Sequence, residues 1–184
     1  PTGAMGDDTP LAGMSDKHPA CFSYFKQLFT QVTNPPIDSL REKIVTDTTV
    51  YVGSDGNLLK AESKNCTVLE INNPILTGVD MMKIKALDMP GLKTSVVSLL
   101  YYKNTSLKEA LDNVFVAIDR EYRNGSNIIV LSDRGVDENH VAIPSLLAVS
   151  GVEQYLIRTK KRTAISIILE SAEVRNVHQS AMLL

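Results

Sequence analysis

The densest run of reactive side chains is Ser132-Asp133-Arg134-Gly135-Val136-Asp137-Glu138-Asn139-His140, which gathers three carboxylates, an arginine, a serine and a histidine in one short stretch. Asp133 and Asp137 are of the type that holds a divalent metal. His140 is a candidate general base, and Arg134 is suited to grip an anion such as phosphate. The competing reading is that Asp133 and Arg134 pair or cap within a tight loop while the rest is solvated.

A second segment, Thr33-Asn34-Pro35-Pro36-Ile37-Asp38, sets polar groups on a stiff stretch of chain. Two consecutive prolines have a fixed φ and no N–H, so such a loop keeps its shape without a hydrogen-bond ladder. It reads either as a plain helix stop or as a rigid loop that holds Thr33, Asn34 and Asp38 at an interface or a channel wall.

The remaining polar motifs are weaker. His18 and His178 are isolated, and no two histidines have metal-ligand spacing. Gly53-Ser54-Asp55-Gly56 lacks the Gly-Lys-Ser/Thr of a phosphate loop, and the dinucleotide fingerprint is absent. Lys160-Lys161-Arg162 follows a helical stretch, where positive charge favours the helix C-terminus. Cys21 and Cys66 are too few for a disulfide framework or a four-cysteine zinc or iron–sulfur site, and are expected reduced in a cytoplasmic protein.

These residues need elements to position them. The spacing of Phe22, Phe25, Leu28, Phe29 and Val32 predicts a helix that stops at Asn34-Pro35, and residues 39–45 predict a shorter one. Thr48-Thr49-Val50-Tyr51-Val52 is strand-like and ends at a Gly-Ser-Asp-Gly turn. Residues 58–95 are irregular, with a short helix expected at 78–85. The pattern is clearest from Lys93 onward. Residues 96–102 form a strand, and Ser106 with Glu109 signals a capped helix carrying Leu107, Leu111, Val114, Phe115, Ile118 and Tyr122, closed by Gly125. Ile128-Ile129-Val130-Leu131 is a strand covered on both faces. Pro144 opens a second helix, 164–169 is a third strand, and a third helix begins at 174.

The expected fold class is therefore α/β. A β-α-β-α-β-α parallel sheet, open or barrel-like, fills about 94–184 and is preceded by an irregular helical and loop arm. Residues 1–20 read as an extended arm and 21–184 as a partial α/β domain. In such a sheet ligands bind at the carboxyl ends of the strands, here 103–106, 132–143 and 170–173.

The chain has 184 residues, enough for one domain with a core of its own. Hydrophobic residues make up 43% and charged residues 22%, which excludes a disordered or fibrous class. A net charge of −2 and an aromatic fraction of 5% without tryptophan argue against a nucleic-acid surface. No apolar run approaches the roughly 20 residues of a membrane span, and the first residues show no charged segment followed by an apolar one, so no signal peptide is expected in them. The first residue is Pro and the last four are Ala181-Met182-Leu183-Leu184, so the chain is expected to be a piece of a longer polypeptide.

Several blocks resemble the central domain of the glutamate synthase large subunit. They are Met5-Gly6-Asp7-Asp8-Thr9-Pro10-Leu11-Ala12, the run from Tyr24 through Thr33-Asn34-Pro35-Pro36-Ile37-Asp38 to Glu42, Leu131-Ser132-Asp133-Arg134-Gly135-Val136-Asp137 with Ile143-Pro144-Ser145-Leu146-Leu147, and Glu170-Ser171-Ala172-Glu173 before Val177-His178. The stretch 54–127 matches loosely. Glu153-Gln154-Tyr155 and Gln179 stand where that family often has non-catalytic histidines.

The resemblance implies a domain of an oxidoreductase that makes two glutamates from glutamine and 2-oxoglutarate. It implies no catalytic residue, metal or cofactor in this chain. FMN, an iron–sulfur cluster and NAD(P)H or ferredoxin would serve the parent enzyme. The implied partners are the amidotransferase and FMN-binding domains of the same chain and a small NADPH-oxidising subunit, with no nucleic acid and no membrane. The domain would help wall an internal ammonia tunnel, with Thr33, Asn34, Pro35, Pro36 and Asp38 near it. The alternative is a free-standing α/β enzyme with a metal- or phosphate-dependent site at Asp133, Arg134, Asp137 and His140.

Overall fold

A computed structural model of the chain describes residues 11–25, 47–57, 59–60 and 62–184. The chain divides into two compact units, residues 1–36 and 37–184. The described part of the first holds two 3-10 turns, Ala12–Met14 and Cys21–Tyr24, with Phe22 buried. The expected helices at 22–32 and 39–45 lie outside the described residues, apart from 22–25, where the Cys21–Tyr24 turn stands.

The second unit is built on an open sheet in which β4 (Leu92–Ser98), β6 (Ile128–Ser132) and β8 (Ser166–Glu170) run parallel and lie in chain order. Helix α2 (Leu107–Arg123) joins β4 to β6, and α3 (Ser145–Arg158) joins β6 to β8. A last helix, α4 (Val177–Leu183), follows β8. The β-α-β-α-β-α alternation read from the sequence is thus present, and it forms an open sheet rather than a closed barrel. At its near edge β3 (Asp88–Met89) makes an antiparallel hairpin with the start of β4. Pro90 and Gly91 form that turn, and Gly91 sits at φ +88°, the left-handed value that the third position of a type II turn demands.

The strand read at 48–52 and the short helix expected at 78–85 are both present, and the stretch 58–95, otherwise read as irregular, also supplies a second strand. β1 (Val50–Gly53) and β2 (Val68–Ile71) pair antiparallel, and α1 (Gly78–Lys85) is closed at its start by a reciprocal Thr77–Asp80 capping box.

Burial explains the strand spacing. Every residue of β6 is buried. Ile129 and Leu131 join Val97, Val114, Ile118, Val152 and Leu156 in the cluster under α2 and α3. Ile128 and Val130 join Val52, Met81, Ile84 and Leu92 on the opposite face. A side-chain period of two sends alternate residues to opposite faces, so a continuous apolar run is what a strand covered on both sides requires.

The strand expected over 96–102 is broken. Leu99, fully buried, donates its amide to the Ser132 carbonyl (2.8 Å) and accepts the Ile143 amide (3.0 Å). Beyond it β5 (Leu100–Tyr102) turns away and pairs antiparallel with β7 (His140–Ala142).

Both long helices end in the same way. At α2 the Ser126 amide reaches back to the Glu121 carbonyl and Gly125 sits at φ +88°. At α3 the Lys161 amide reaches the Leu156 carbonyl and Lys160 takes φ +59°. These are Schellman closures, one with the usual glycine and one with a lysine.

Candidate functional site

The carboxyl ends of β6 and β8 lie side by side, with Ser132 in register with Glu170. Glu170 is the centre of the polar cluster there. Its Oε2 accepts from Lys85 Nζ (2.7 Å) and Ser132 Oγ (2.6 Å), and its Oε1 accepts from Arg134 Nε (2.7 Å). Burial alone would raise the Glu170 carboxyl, but the hydrogen bonds from Lys85, Ser132 and Arg134 outweigh it and hold the group at about 2. Lys85 comes from the last turn of α1, so one carboxylate ties together an α-helix, two strands and the loop after β6.

Asp133 and Arg134 diverge. Asp133 Oδ2 accepts from Ser171 Oγ (2.5 Å) and the Ala172 amide (3.2 Å), across to the loop after β8. Arg134 leaves most of its side chain in solvent while its Nε holds Glu170.

Asp137 and His140 are brought together at the base of β7. The Asp137 carboxylate accepts from the amides of Asn139 and His140 (both 2.8 Å) and lies 2.9 Å from His140 Nδ1. The Asn139 amide bond, then the His140 side chain and amide, hold Asp137 below the usual carboxylate range. Tyr102 is the cross-strand partner of His140, with ring centroids 4.3 Å apart.

The four residues proposed as an alternative site are therefore engaged in separate contacts: Asp133 with Ser171, Arg134 with Glu170, and Asp137 with His140. Among the described residues, no three His, Cys, Asp or Glu side chains gather within reach of one metal ion. The segment Thr33, Asn34, Pro35, Pro36 and Asp38 lies outside the described residues.

Sequence reasoning missed the members that complete the cluster. Glu170, Ser171 and Glu173 fall at the third carboxyl end, a position the strand pattern marked. Lys85 had no such signal, being far away in sequence. Glu173 Oε2 accepts from both the amide (2.7 Å) and the Oγ (2.6 Å) of Ser145 at the start of α3.

The match to known proteins decides between general α/β classes. A model of the glutamate synthase central domain matches residues 1–184. The chain belongs to the glutamate synthase central domain family. It is 40% identical over 184 residues to the Glutamate synthase (NADPH) large chain of Bacillus subtilis, which covers all of this chain and 12% of that protein. It is 35% identical over 187 residues to the Glutamate synthase (NADH) of Saccharomyces cerevisiae, covering 99% of this chain and 9% of that protein. It is 39% identical over 189 residues to Ferredoxin-dependent glutamate synthase 2 of Synechocystis, covering all of this chain and 12% of that one. This central domain thus spans about one-eighth or less of the length of these relatives. Among the described residues, no helix is long and apolar enough to cross a membrane.

Proposed function

We propose that this chain is the spacer of a cytoplasmic glutamate synthase, standing between an amidotransferase domain and an FMN-binding domain of one polypeptide and helping to wall the ammonia channel between them. In the parent, glutamine and 2-oxoglutarate give two glutamates, with FMN, an iron–sulfur cluster and a reductant carrying the electrons; a small NADPH-oxidising subunit is a further partner. The spacer itself holds none of the reacting groups.

The observation that carries this reading is the state of the strand ends. Where an α/β enzyme would aim side chains at a ligand, Glu170, Asp133 and Glu173 are turned into ties between β6, β8, α1 and α3. Such a network stiffens a wall, and Glu170, held ionised, has no proton to give to ammonia. A channel for ammonia needs both properties, because ammonium would not pass. Identity of 35–40% to relatives named for NADPH, NADH and ferredoxin supports placing the choice of electron donor outside this domain.

The Thr33-Asn34-Pro35-Pro36-Ile37-Asp38 segment is the proposed channel and signalling element. The test is the ratio of glutamine hydrolysed to 2-oxoglutarate consumed in the full-length enzyme. Thr33→Val or Asn34→Ala is expected to push that ratio above one-to-one. A ratio that stays at one-to-one in both variants counts against the assignment.

A further inference from the structure

Among the described residues, no strand pairs with the outer edge of β4 beyond Lys93. Backbone N–H groups alternate between the two sides of a strand. The Thr94 amide bonds outward to the Leu87 carbonyl (3.1 Å), and the Leu99 amide bonds inward to Ser132. By that parity the amides of Val96 and Ser98 face away from β6. Among the described residues neither amide has a hydrogen-bond partner, because β3 pairs with Leu92 and Lys93 alone. Val96 is 49% exposed and Ser98 is exposed, whereas their β6 partners Val130 and Ser132 are buried.

A lone protein normally blunts such an edge with a lysine, a proline or a bulge. Residues 94–98, Thr-Ser-Val-Val-Ser, have none of these and carry no charge. A groove of about 450 Å³ runs beside the edge, floored by Val96 and Ser98 and walled by Asn113, Ala117 and Arg120 of α2. Among the described residues, Arg120 is the one charged residue lining it. Its side chain is 72% exposed, and among the described residues its guanidinium is bonded through Nε alone, to Glu121 Oε1 at 3.0 Å.

We infer that an extended segment of the same glutamate synthase polypeptide, from outside these 184 residues, adds to β4 as a further strand and sets a carboxylate against Arg120. The inference rests on the reading of this chain as part of a long synthase. It is favoured over a second copy because covalent connection presents the segment at millimolar effective concentration. The relatives carry about eight or more times the length of this domain in one chain, which supplies the segment. Main-chain bonds to Val96 and Ser98 supply the affinity, and Arg120 supplies the choice of partner.

The test is residue-resolved amide exchange in the full-length enzyme at two protein concentrations. The Val96 and Ser98 amides are expected to exchange at least about tenfold more slowly than open edge amides, equally at both concentrations. Arg120→Glu is expected to remove most of that slowing while the inward amide of Val97 stays protected, which shows the domain still folded. Free exchange at Val96 and Ser98 in the parent overturns the inference. Slowing that disappears on dilution assigns the edge to a second copy and overturns it too, as does slowing that Arg120→Glu leaves unchanged. None of these outcomes depends on the glutamine to 2-oxoglutarate ratio.

Discussion

Glu173, in the loop after β8, caps α3 through Ser145, accepting both its amide and its hydroxyl at 2.6–2.7 Å. The residue before the helix is Pro144, which offers no side-chain acceptor, and the first amides of any helix lack partners within it. A carboxylate at that end also meets the positive pole of the helix dipole. Glu173→Ala is expected to lower unfolding free energy by about 1–2 kcal/mol, and Ser145→Ala by roughly half as much, because the amide bond survives. Urea denaturation of the two variants checks the order.

Glu170 gives a larger effect. Removing the carboxylate leaves Lys85 and Ser132 without their shared acceptor in a largely buried place. Glu170→Ala is expected to cost roughly 2–4 kcal/mol, and Glu170→Gln somewhat less, since an amide oxygen still accepts one bond. Loss of less than about half a kcal/mol in thermal or chemical unfolding would contradict the role given to this cluster.

The same residue sets an acid response. Its carboxyl lies near 4.5 in the unfolded chain and at about 2 in the folded one. The folded state therefore holds the proton less readily. The stability gained from the ionised form is complete above pH about 4.5 and is lost as pH falls from there through 2. Subtracting the stability curve of Glu170→Gln from that of the wild type isolates this component. The difference should shrink steadily across that window and stay flat above it.

The paired helix closures make opposite predictions. Lys160 at φ +59° carries a side chain where the backbone favours glycine, so Lys160→Gly is expected to raise stability by about 0.5–1 kcal/mol. Gly125→Ala at φ +88° is expected to lower it by about 1 kcal/mol, although a Cβ there would meet no neighbour. Differential scanning calorimetry on both variants would show shifts of opposite sign.

At Gly91 strain and crowding act together. A Cβ there would come 2.7 Å from Thr67 Cγ2, and φ is +88°. Gly91→Ala is expected to cost more than Gly125→Ala, and pairing it with Thr67→Ser should recover the crowding part alone. Equal losses for the two alanine variants would show that Thr67 yields freely.

Much of the fold was legible because its signals are local. The apolar spacing of Leu111, Val114 and Ile118 marked α2, and the unbroken run Ile128–Leu131 marked a strand with both faces covered. The elements that escaped are those set by distant partners. His140–Ala142 is a three-residue strand inside a polar loop, and only its pairing with Leu100–Tyr102 makes it one. The break at Leu99 likewise depends on Ser132 and Ile143. The polar cluster was half legible: the strand pattern located the 132–143 and 170–173 loops, but not that Lys85 joins them. A long-range ion pair leaves no periodic trace in the chain.

The order β4, β6, β8 has a consequence for synthesis. Each strand finds its partner among residues already made, so the sheet can grow from its first strand as the chain leaves the ribosome. No late segment has to be threaded between two earlier ones, while each parallel pairing must close a separation of 34 residues (Thr94 to Ile128) or 38 residues (Ile128 to Ser166). A domain that takes shape this way has β4 and β6 paired before β8 is made.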